Sequence, residues 1–192
     1  MSLQPLATFD WAPLGLTVRL AFVTTLILVL VGVPLASWLA TTRRRVTRTL
    51  VEALVSLPLV LPPSVLGFYL LVTLGPRSLV GGFVESLAGL RLVFTFEGLV
   101  VGSVLFSLPF MVHPVRSALA ALPQSLREAA WTLGASKIET FLRVLLPNVG
   151  GALLTGAVLA FAHTVGEFGV VLMIGGNVPG ETRVASVAVA NR

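Results

Sequence analysis

The sequence has no cysteine and very few charged residues. Without cysteine, the chain forms no disulfide and offers no thiolate to a metal ion or a substrate. The sole lysine, Lys137, follows no glycine, so a phosphate-binding loop is missing; Gly-x-Ser-x-Gly and His-Glu-x-x-His motifs are missing too. We therefore expect no catalytic residues in this chain, and any energy input must come from a partner.

Long apolar runs take the place of charge. Hydrophobic residues make up 56% of the 192 residues and charged residues only 11%, a composition far outside that of soluble proteins. Four charge-free runs each approach the ~20 residues that a helix needs to cross the hydrocarbon core of a bilayer. The sequence predicts an all-α integral membrane protein, one polytopic domain over 1–192, with spans at about 16–42, 51–75, 96–116 and 145–168.

Basic residues cluster in two connections between these runs. Arg43, Arg44, Arg45 and Arg48 crowd the first short loop, and Arg116, Arg127, Lys137 and Arg143 occupy the third connection. Because basic loops stay on the cytoplasmic side, we expect both connections inside and the N-terminus outside. The net charge of +5 is then a topology signal, so we expect membrane lipid rather than nucleic acid as a neighbour.

Residues 123–146, in the third connection, have the pattern of a helical hairpin. Ser125 with Glu128, and Ser136 with Glu139, each show the Ser-x-x-Glu spacing of a capping box. Gly134 falls between them, where a left-handed residue ends the first helix. The first helix should have one apolar face, formed by Leu126, Ala129, Ala130 and Leu133. The second helix should also have one, formed by Ile138, Phe141, Leu142 and Leu145. A docking element and an ordinary amphipathic hairpin on the membrane surface both fit this pattern.

The second predicted span carries Pro58, Pro62 and Pro63. A proline inside a helix removes a backbone hydrogen bond and frees a carbonyl about one turn earlier, so the helix must bend. Irregular backbone at membrane depth is tolerated where it faces protein or a water-filled cavity. The bend around Pro62 and Pro63 therefore fits either the lining of a pathway or a kink needed for packing.

The fourth predicted span ends with two ionisable residues, His163 and Glu167. Such groups at membrane depth usually face a bundle interior or a cavity. Two ligands make an incomplete metal site, so we expect none. An ionised carboxylate would repel an anionic cargo, which favours Glu167 as a hydrogen-bonded gate or packing residue. An intramembrane enzyme would need a third residue beside this pair.

The hairpin resembles the "EAA" signature of the permease subunits of binding-protein-dependent ABC importers. The matching pattern is Glu128-Ala129-Ala130, three residues, Gly134, nine residues, Val144, one residue and Leu146-Pro147, with Val144 where the family usually has isoleucine. The resemblance implies the type I (MetI-like) permease fold and a hairpin that couples to a cytoplasmic ATPase. It assigns that coupling role to Glu128, Ala129, Ala130, Gly134 and Ala135.

Two further segments are similar to the tetrahedral-oxyanion permeases. Gly166-Glu167-Phe168-Gly169 is shared with sulfate and tungstate permeases, and the run from Asn177 to Arg183 favours the molybdate group. The resemblance implies a pathway or gate lined by Pro62, Pro63, His163, Thr164, Gly166, Glu167 and Gly169.

The resemblance also implies an assembly in the plasma (inner) membrane of a bacterium or an archaeon. We expect a homodimer of permease subunits, two cytoplasmic ATPase subunits that bind ATP and Mg, and an extracytoplasmic oxyanion-binding protein, with no cofactor on this chain. Related permeases continue into a further spanning helix, whereas nine residues follow Arg183 here. We therefore expect the last spanning helix to be missing. Sulfate or tungstate cargo, a non-transporting truncated homologue, and a purely structural membrane protein remain alternatives.

Overall fold

The computed structural model describes residues 11–190, and every regular element in that range is helical. The all-α membrane class is thereby confirmed, while the two ends of the expected 1–192 domain lie outside the described residues. The helices are α1 (Ala12–Thr41), α2 (Arg45–Val60), α3 (Pro63–Leu74), α4 (Leu79–Ala88), α5 (Phe96–Ala121), α6 (Gln124–Thr132), α7 (Lys137–Thr140), a π-helical turn (Phe141–Leu145), α8 (Leu146–Asn148), α9 (Gly150–Gly166), α10 (Gly169–Gly175) and α11 (Ala185–Ala190).

Two of these helices, α1 and α5, are each long and apolar enough to cross a membrane. The number rises to four if α2 with α3, and α7–α8 with α9, each count as one bent span. The expected span 51–75 falls on α2 and α3, which separate at Leu61 and Pro62. Pro62 precedes the first residue of α3 and Pro63 occupies it, a position where the missing N–H costs nothing. The expected spans therefore remain predictions, now with helix bounds.

The first loop is shorter than the sequence suggested. Only residues 42–44 are non-helical, so Arg45 and Arg48 belong to α2 and their placement in the loop was wrong. Arg48 pairs with Glu52 one turn later, at 3.6 Å, an arrangement that stabilises a helix. Charge alone therefore does not mark the end of the loop, because arginine is also a good helix former.

The described residues form two compact units. The first comprises residues 11–23, 62–103 and 164–190. Its core consists of Leu20, Leu99, Val171, Val184 and Val187, each at most 2% exposed. The amide of Ala185 donates to Thr17 Oγ1 at 2.8 Å, which fastens the start of α11 to α1.

The second unit comprises residues 24–61 and 104–163. Its core is built around Met111, which is fully buried. A Cβ at Gly32 would lie 2.9 Å from Met111 Cγ, and one at Gly156 would lie 3.1 Å from its sulfur. Small residues of this kind let membrane helices approach closely. On α5, Arg116 pairs with Glu52 at 2.8 Å, so two helices of this unit are also joined by charge.

Candidate functional site

The predicted hairpin of residues 123–146 lies within the second unit, and its first helix begins earlier than expected. Pro123 is the N-cap residue of α6, and no side chain caps this end. The first capping box was therefore wrong: Ser125 lies inside the first turn, because the fixed φ of proline starts the helix before it. Glu128 instead accepts a hydrogen bond from Gln124 Nε2 at 2.7 Å and is exposed.

The turn of the hairpin is confirmed at Gly134, which has a φ of +83°. The amide of Ala135 donates to the carbonyl of Ala130 at 3.0 Å, and the amide of Gly134 donates to that of Trp131 at 3.0 Å. This pair of hydrogen bonds is the Schellman motif, which requires a left-handed residue at this position. No other atom lies within 4 Å of a Cβ built on Gly134, so backbone conformation alone explains the glycine.

The second half of the hairpin begins with the second predicted cap. Ser136 Oγ accepts from the amide of Glu139 at 3.2 Å, so this serine is confirmed as an N-cap. The Glu139 carboxylate pairs with Arg143 at 3.0 Å. After Thr140 the helix widens into the π-helical turn of residues 141–145, a local form that is frequent at functional sites.

Neither predicted apolar face forms as a whole. Ala130 is 7% exposed, whereas Leu133 is 88% exposed, because α6 ends at Thr132 and the turn directs Leu133 outward. In the second half Leu145 is buried while Ile138 is 73% exposed, since the π-helical turn shifts the helical period. The hairpin therefore presents large apolar side chains to its surroundings.

A surface cavity of about 250 Å³ lies at the turn of the hairpin. Three of the five predicted coupling residues line it together: Ala130, Gly134 and Ala135. Glu128 and Ala129 are exposed outside this cavity. The coupling role of all five residues stays a prediction, but the structure places Ala130, Gly134 and Ala135 around one accessible cavity.

The predicted pathway residues Pro62 and Pro63 lie at the break between α2 and α3, and Pro63 packs against a third, Gly169. A Cβ built on Gly169 would lie 2.7 Å from Pro63 Cβ and 3.1 Å from the Ser64 amide nitrogen. Gly169 thus lets the start of α10 contact the start of α3 within the first unit. This close approach supplies a packing reason for both residues.

His163 lies in the second unit, between aromatic rings of α5. Its ring centroid is 4.2 Å from that of Phe110 and 4.8 Å from that of Phe106. His163 Nδ1 also shares a hydrogen bond of 3.0 Å with Ser107 Oγ. Sequence reasoning missed Ser107, because its spacing from His163 along the chain carries no signal.

Glu167 lies just beyond α9, whose last residue is Gly166. Its side chain is 6% exposed, and Oε1 accepts from the Val170 amide at 2.8 Å. The Glu167 carbonyl accepts from Ser186 Oγ at 2.6 Å. Thr164, also predicted at the pathway, is 2% exposed. The carboxylate therefore holds the start of α10, which agrees with the prediction of a hydrogen-bonded residue.

The loop after α10 contains polar residues that sequence reasoning used only as a family signature. Thr182, 1% exposed, accepts from the Val178 amide at 2.9 Å and donates to the Gly175 carbonyl. Arg183 Nε donates to Asn177 Oδ1 at 2.8 Å. These hydrogen bonds give the Asn-x-Pro-Gly-Glu-Thr-Arg run a defined shape.

No group of three or more histidine, aspartate or glutamate side chains within residues 11–190 is placed to hold a metal ion. The protein provides partners to both ionisable residues of the predicted gate, a hydroxyl for His163 and an amide for Glu167. Their arrangement supports packing and positioning.

Comparison with known proteins places the chain in a family. The family described as "Binding-protein-dependent transport system inner membrane component" matches residues 32–189. The molybdenum transport system permease protein ModB of Azotobacter vinelandii is 51% identical over 97% of this chain and 82% of its own length. The protein of the same name from Escherichia coli K12 is 34% identical over 91% of this chain and 76% of its own length.

Another relative differs in its named cargo. The protein named "Probable sulfate transport system permease protein cysT" from Chlorella vulgaris is 38% identical over 91% of this chain and 65% of its own length. All three are transport permeases by name, and the family match covers most of the chain. This chain belongs to the family of inner-membrane components of binding-protein-dependent transport systems.

Proposed function

We propose that this chain is the transmembrane permease subunit of an ATP-driven importer of molybdate. In this role it forms the path for the anion and couples to a cytoplasmic ATPase through the hairpin of residues 123–146. The cargo is supported by two relatives named for molybdenum transport, at 51% and 34% identity. Sulfate is the first alternative, because a relative at 38% identity is named for it, and tungstate is the second.

The observation that carries the proposal is the shape of the hairpin. A Schellman turn at Gly134 fixes its tip, and Leu133 and Ile138 project from it at 88% and 73% exposure. Exposed large apolar side chains beside a cavity are typical of a protein–protein contact. The small side chains Ala130 and Ala135 in that cavity allow a partner to approach the backbone closely.

The proposed ATPase partners supply the nucleotide-binding site for which this chain has no motif. Its only lysine, Lys137, belongs to no phosphate-binding loop, so the ATPase subunits bind ATP and Mg and hydrolyse the nucleotide. Two permease subunits form the path between them, and an extracytoplasmic protein delivers the anion. Closure of the ATPase pair moves the hairpins, which opens the path outward, and hydrolysis resets it inward.

In this mechanism the gate residues position and pack helices and do not bind the anion. The Glu167 carboxylate accepts from the Val170 amide, so it positions the start of α10 and does not act as a ligand for the anion. Pro63 and Gly169 pack together at the start of two helices, where a small shift changes the contact. Weak binding of cargo along the path is expected, because tight binding would slow release.

The test is co-purification of the full chain with its cognate ATPase subunit from membranes. In Gly134→Ala the Cβ disfavours the φ of +83° by about 1–2 kcal/mol, and we expect loss of most ATPase. Gly134→Asn should keep it, because asparagine tolerates this conformation. Gly180→Ala is the matched control, since Gly180 has a φ of +80° and equally open surroundings.

Membrane insertion of every variant is measured in parallel. Equal ATPase recovery from Gly134→Ala and the unaltered chain would contradict the coupling role of the hairpin. The cargo is tested separately, by uptake of labelled molybdate into cells that hold the whole transporter, with excess sulfate or tungstate as competitor. Inhibition by sulfate at concentrations equal to molybdate would move the assignment to sulfate.

A further inference from the structure

A second and larger cavity is lined by hairpin residues other than the motif residues just described. Its volume is about 540 Å³, within the ~300–1,000 Å³ typical of ligand pockets. Its walls come from the last turns of α1 and from α6, α7 and the π-helical turn. None of the coupling residues Glu128, Ala129, Ala130, Gly134 or Ala135 lines it.

Three cations face this cavity, and no acidic residue does: Arg43, Arg127 and Lys137 line it without any aspartate or glutamate. Within residues 11–190 none of the three forms a salt bridge. Arg127 donates to the Leu119 carbonyl at 3.3 Å, which leaves most of its guanidinium donors available. On the hairpin, Glu139 pairs with Arg143 and Glu128 accepts from the neutral amide of Gln124, so neither carboxylate is paired with the three cations of the cavity.

The remaining lining is amphipathic. Trp131, 50% exposed, stands beside the cations, whereas Phe141 and the buried Leu145 form an apolar part of the wall. Tryptophan is enriched at membrane interfaces, where its ring is apolar and its N–H polar. A ligand that combines a phosphate group with an apolar portion matches this wall better than a free ion.

The position along the chain places the cavity at the membrane surface. α1 carries the longest apolar run and ends at Thr41, and Arg43 follows two residues later. A wall made by the end of a spanning helix lies at the depth of lipid headgroups. Basic pockets on the cytoplasmic side of membrane helices are suited to anionic headgroups.

We infer that this cavity binds the phosphate headgroup of an anionic phospholipid, with phosphatidylglycerol as its simplest form. The phosphate contacts Arg43, Arg127 and Lys137, and the glycerol and the start of the acyl chains lie against Phe141 and Leu145. A bound lipid would join the end of α1 to the hairpin. The inference does not depend on the proposed ATPase contact, because the two surfaces of the hairpin differ.

Fluorescence quenching tests the site directly. Trp131 becomes the sole reporter after Trp11→Phe and Trp38→Phe, since the chain has three tryptophans. The purified full chain is placed in phosphatidylcholine nanodiscs, and brominated phosphatidylglycerol or brominated phosphatidylcholine is titrated in. We expect brominated phosphatidylglycerol to quench Trp131 at a much lower mole fraction than brominated phosphatidylcholine.

Charge removal within and outside the cavity gives a matched pair. Arg43→Gln with Lys137→Gln should raise the mole fraction of brominated phosphatidylglycerol needed for half-maximal quenching about twenty-five-fold, at about fivefold per cation. Arg44→Gln with Arg45→Gln removes the same charge from exposed neighbours that do not line the cavity, and should change it less than about twofold. Arg127 is left unaltered because it also bonds the backbone.

Three results would overturn the inference. Equal quenching by the two brominated lipids would show that the headgroup is not recognised. Equal weakening in the two double variants would reduce the effect to general surface charge. Displacement of phosphatidylglycerol by millimolar inorganic phosphate would assign the cavity to a free anion. ATPase co-purification measured on the same variants reports on the proposed coupling independently.

Discussion

The hairpin of residues 123–146 and the segment of residues 166–186 both carry family signatures, yet they are built in opposite ways. The hairpin is shaped by interactions within a few residues, such as those of Gly134 with Trp131 and of Ser136 with Glu139. The 166–186 segment is shaped by buried hydrogen bonds, such as that from the Val170 amide to Glu167, and by a part-buried bond from Ser186 to the Glu167 carbonyl, nineteen residues apart. A locally determined element can leave its surface open to a partner, whereas a segment tied by buried polar contacts mainly holds the fold.

The largest contrast should appear between the two glutamates of these regions. In Glu167→Ala, the Val170 amide loses its acceptor in a site that is 6% exposed, which we expect to lower the free energy of unfolding by about 3 kcal/mol. Glu128→Ala removes only an exposed contact with Gln124 and should cost less than about 0.5 kcal/mol. Unfolding of the purified chain by SDS in mixed micelles measures both.

Equal losses from Glu128→Ala and Glu167→Ala would break the comparison, because the hairpin would then be as integral to the fold as the buried segment. Glu167→Gln supplies a further check. It keeps an oxygen acceptor for the Val170 amide, so it should recover most of the stability.

Gly169 and Gly134 are required for different reasons, so their variants should differ in how stability responds to the new side chain. Gly169→Ala puts a Cβ 2.7 Å from Pro63 Cβ, and such overpacking costs about 2 kcal/mol. Gly134→Ala meets no atom within 4 Å but must adopt a φ of +83°, at about 1–2 kcal/mol. Asparagine should be better tolerated than alanine at position 134 and worse tolerated at position 169. The same SDS titration reads this out, and an asparagine that restores stability at position 169 would contradict the packing explanation.

Removal of a threonine hydroxyl should also destabilise the 166–186 segment more than the hairpin, by a smaller amount. Thr182→Val deprives the Val178 amide of its acceptor in a residue that is 1% exposed, and we expect a loss of about 1.5 kcal/mol. Thr132→Val in the hairpin removes only a bond from an exposed side chain to the Ala129 carbonyl and should change stability by less than about 0.5 kcal/mol. A larger loss at Thr132, measured as the denaturation midpoint, would reverse the assignment of the two regions.

Sequence reasoning succeeded where a property depends on a few neighbouring residues. Hydropathy predicted the membrane class, and the turn at Gly134 and the cap at Ser136 were confirmed. It failed where tertiary contacts or altered periods decide. Ile138 was expected on one apolar face with Leu145, yet Ile138 is 73% exposed while Leu145 is buried, and the π-helical turn begins between them at Phe141.

The contacts of the predicted gate residues could not be predicted from the sequence either. Ser107 and His163 lie 56 positions apart, and Ser186 and Glu167 lie 19 apart. A single sequence has no period or spacing that links such residues. The sequence could therefore identify His163 and Glu167 as unusual at membrane depth, but their partners follow only from the packing of helices.

The smallest expected effect distinguishes the two Ser-x-x-Glu segments of the hairpin, which have the same spacing. Ser125 and Ser136 each precede a glutamate by three residues, yet only Ser136 Oγ accepts an N-terminal amide, that of Glu139 at 3.2 Å. Ser136→Ala should therefore cost about 1 kcal/mol of local stability and speed hydrogen exchange at the Glu139 amide about fivefold. Ser125→Ala should leave exchange in α6 unchanged, because Pro123 already sets its start. Faster exchange at the Glu128 amide in Ser125→Ala would show that the first box forms in solution, and the start of the hairpin would then be as locally determined as its turn.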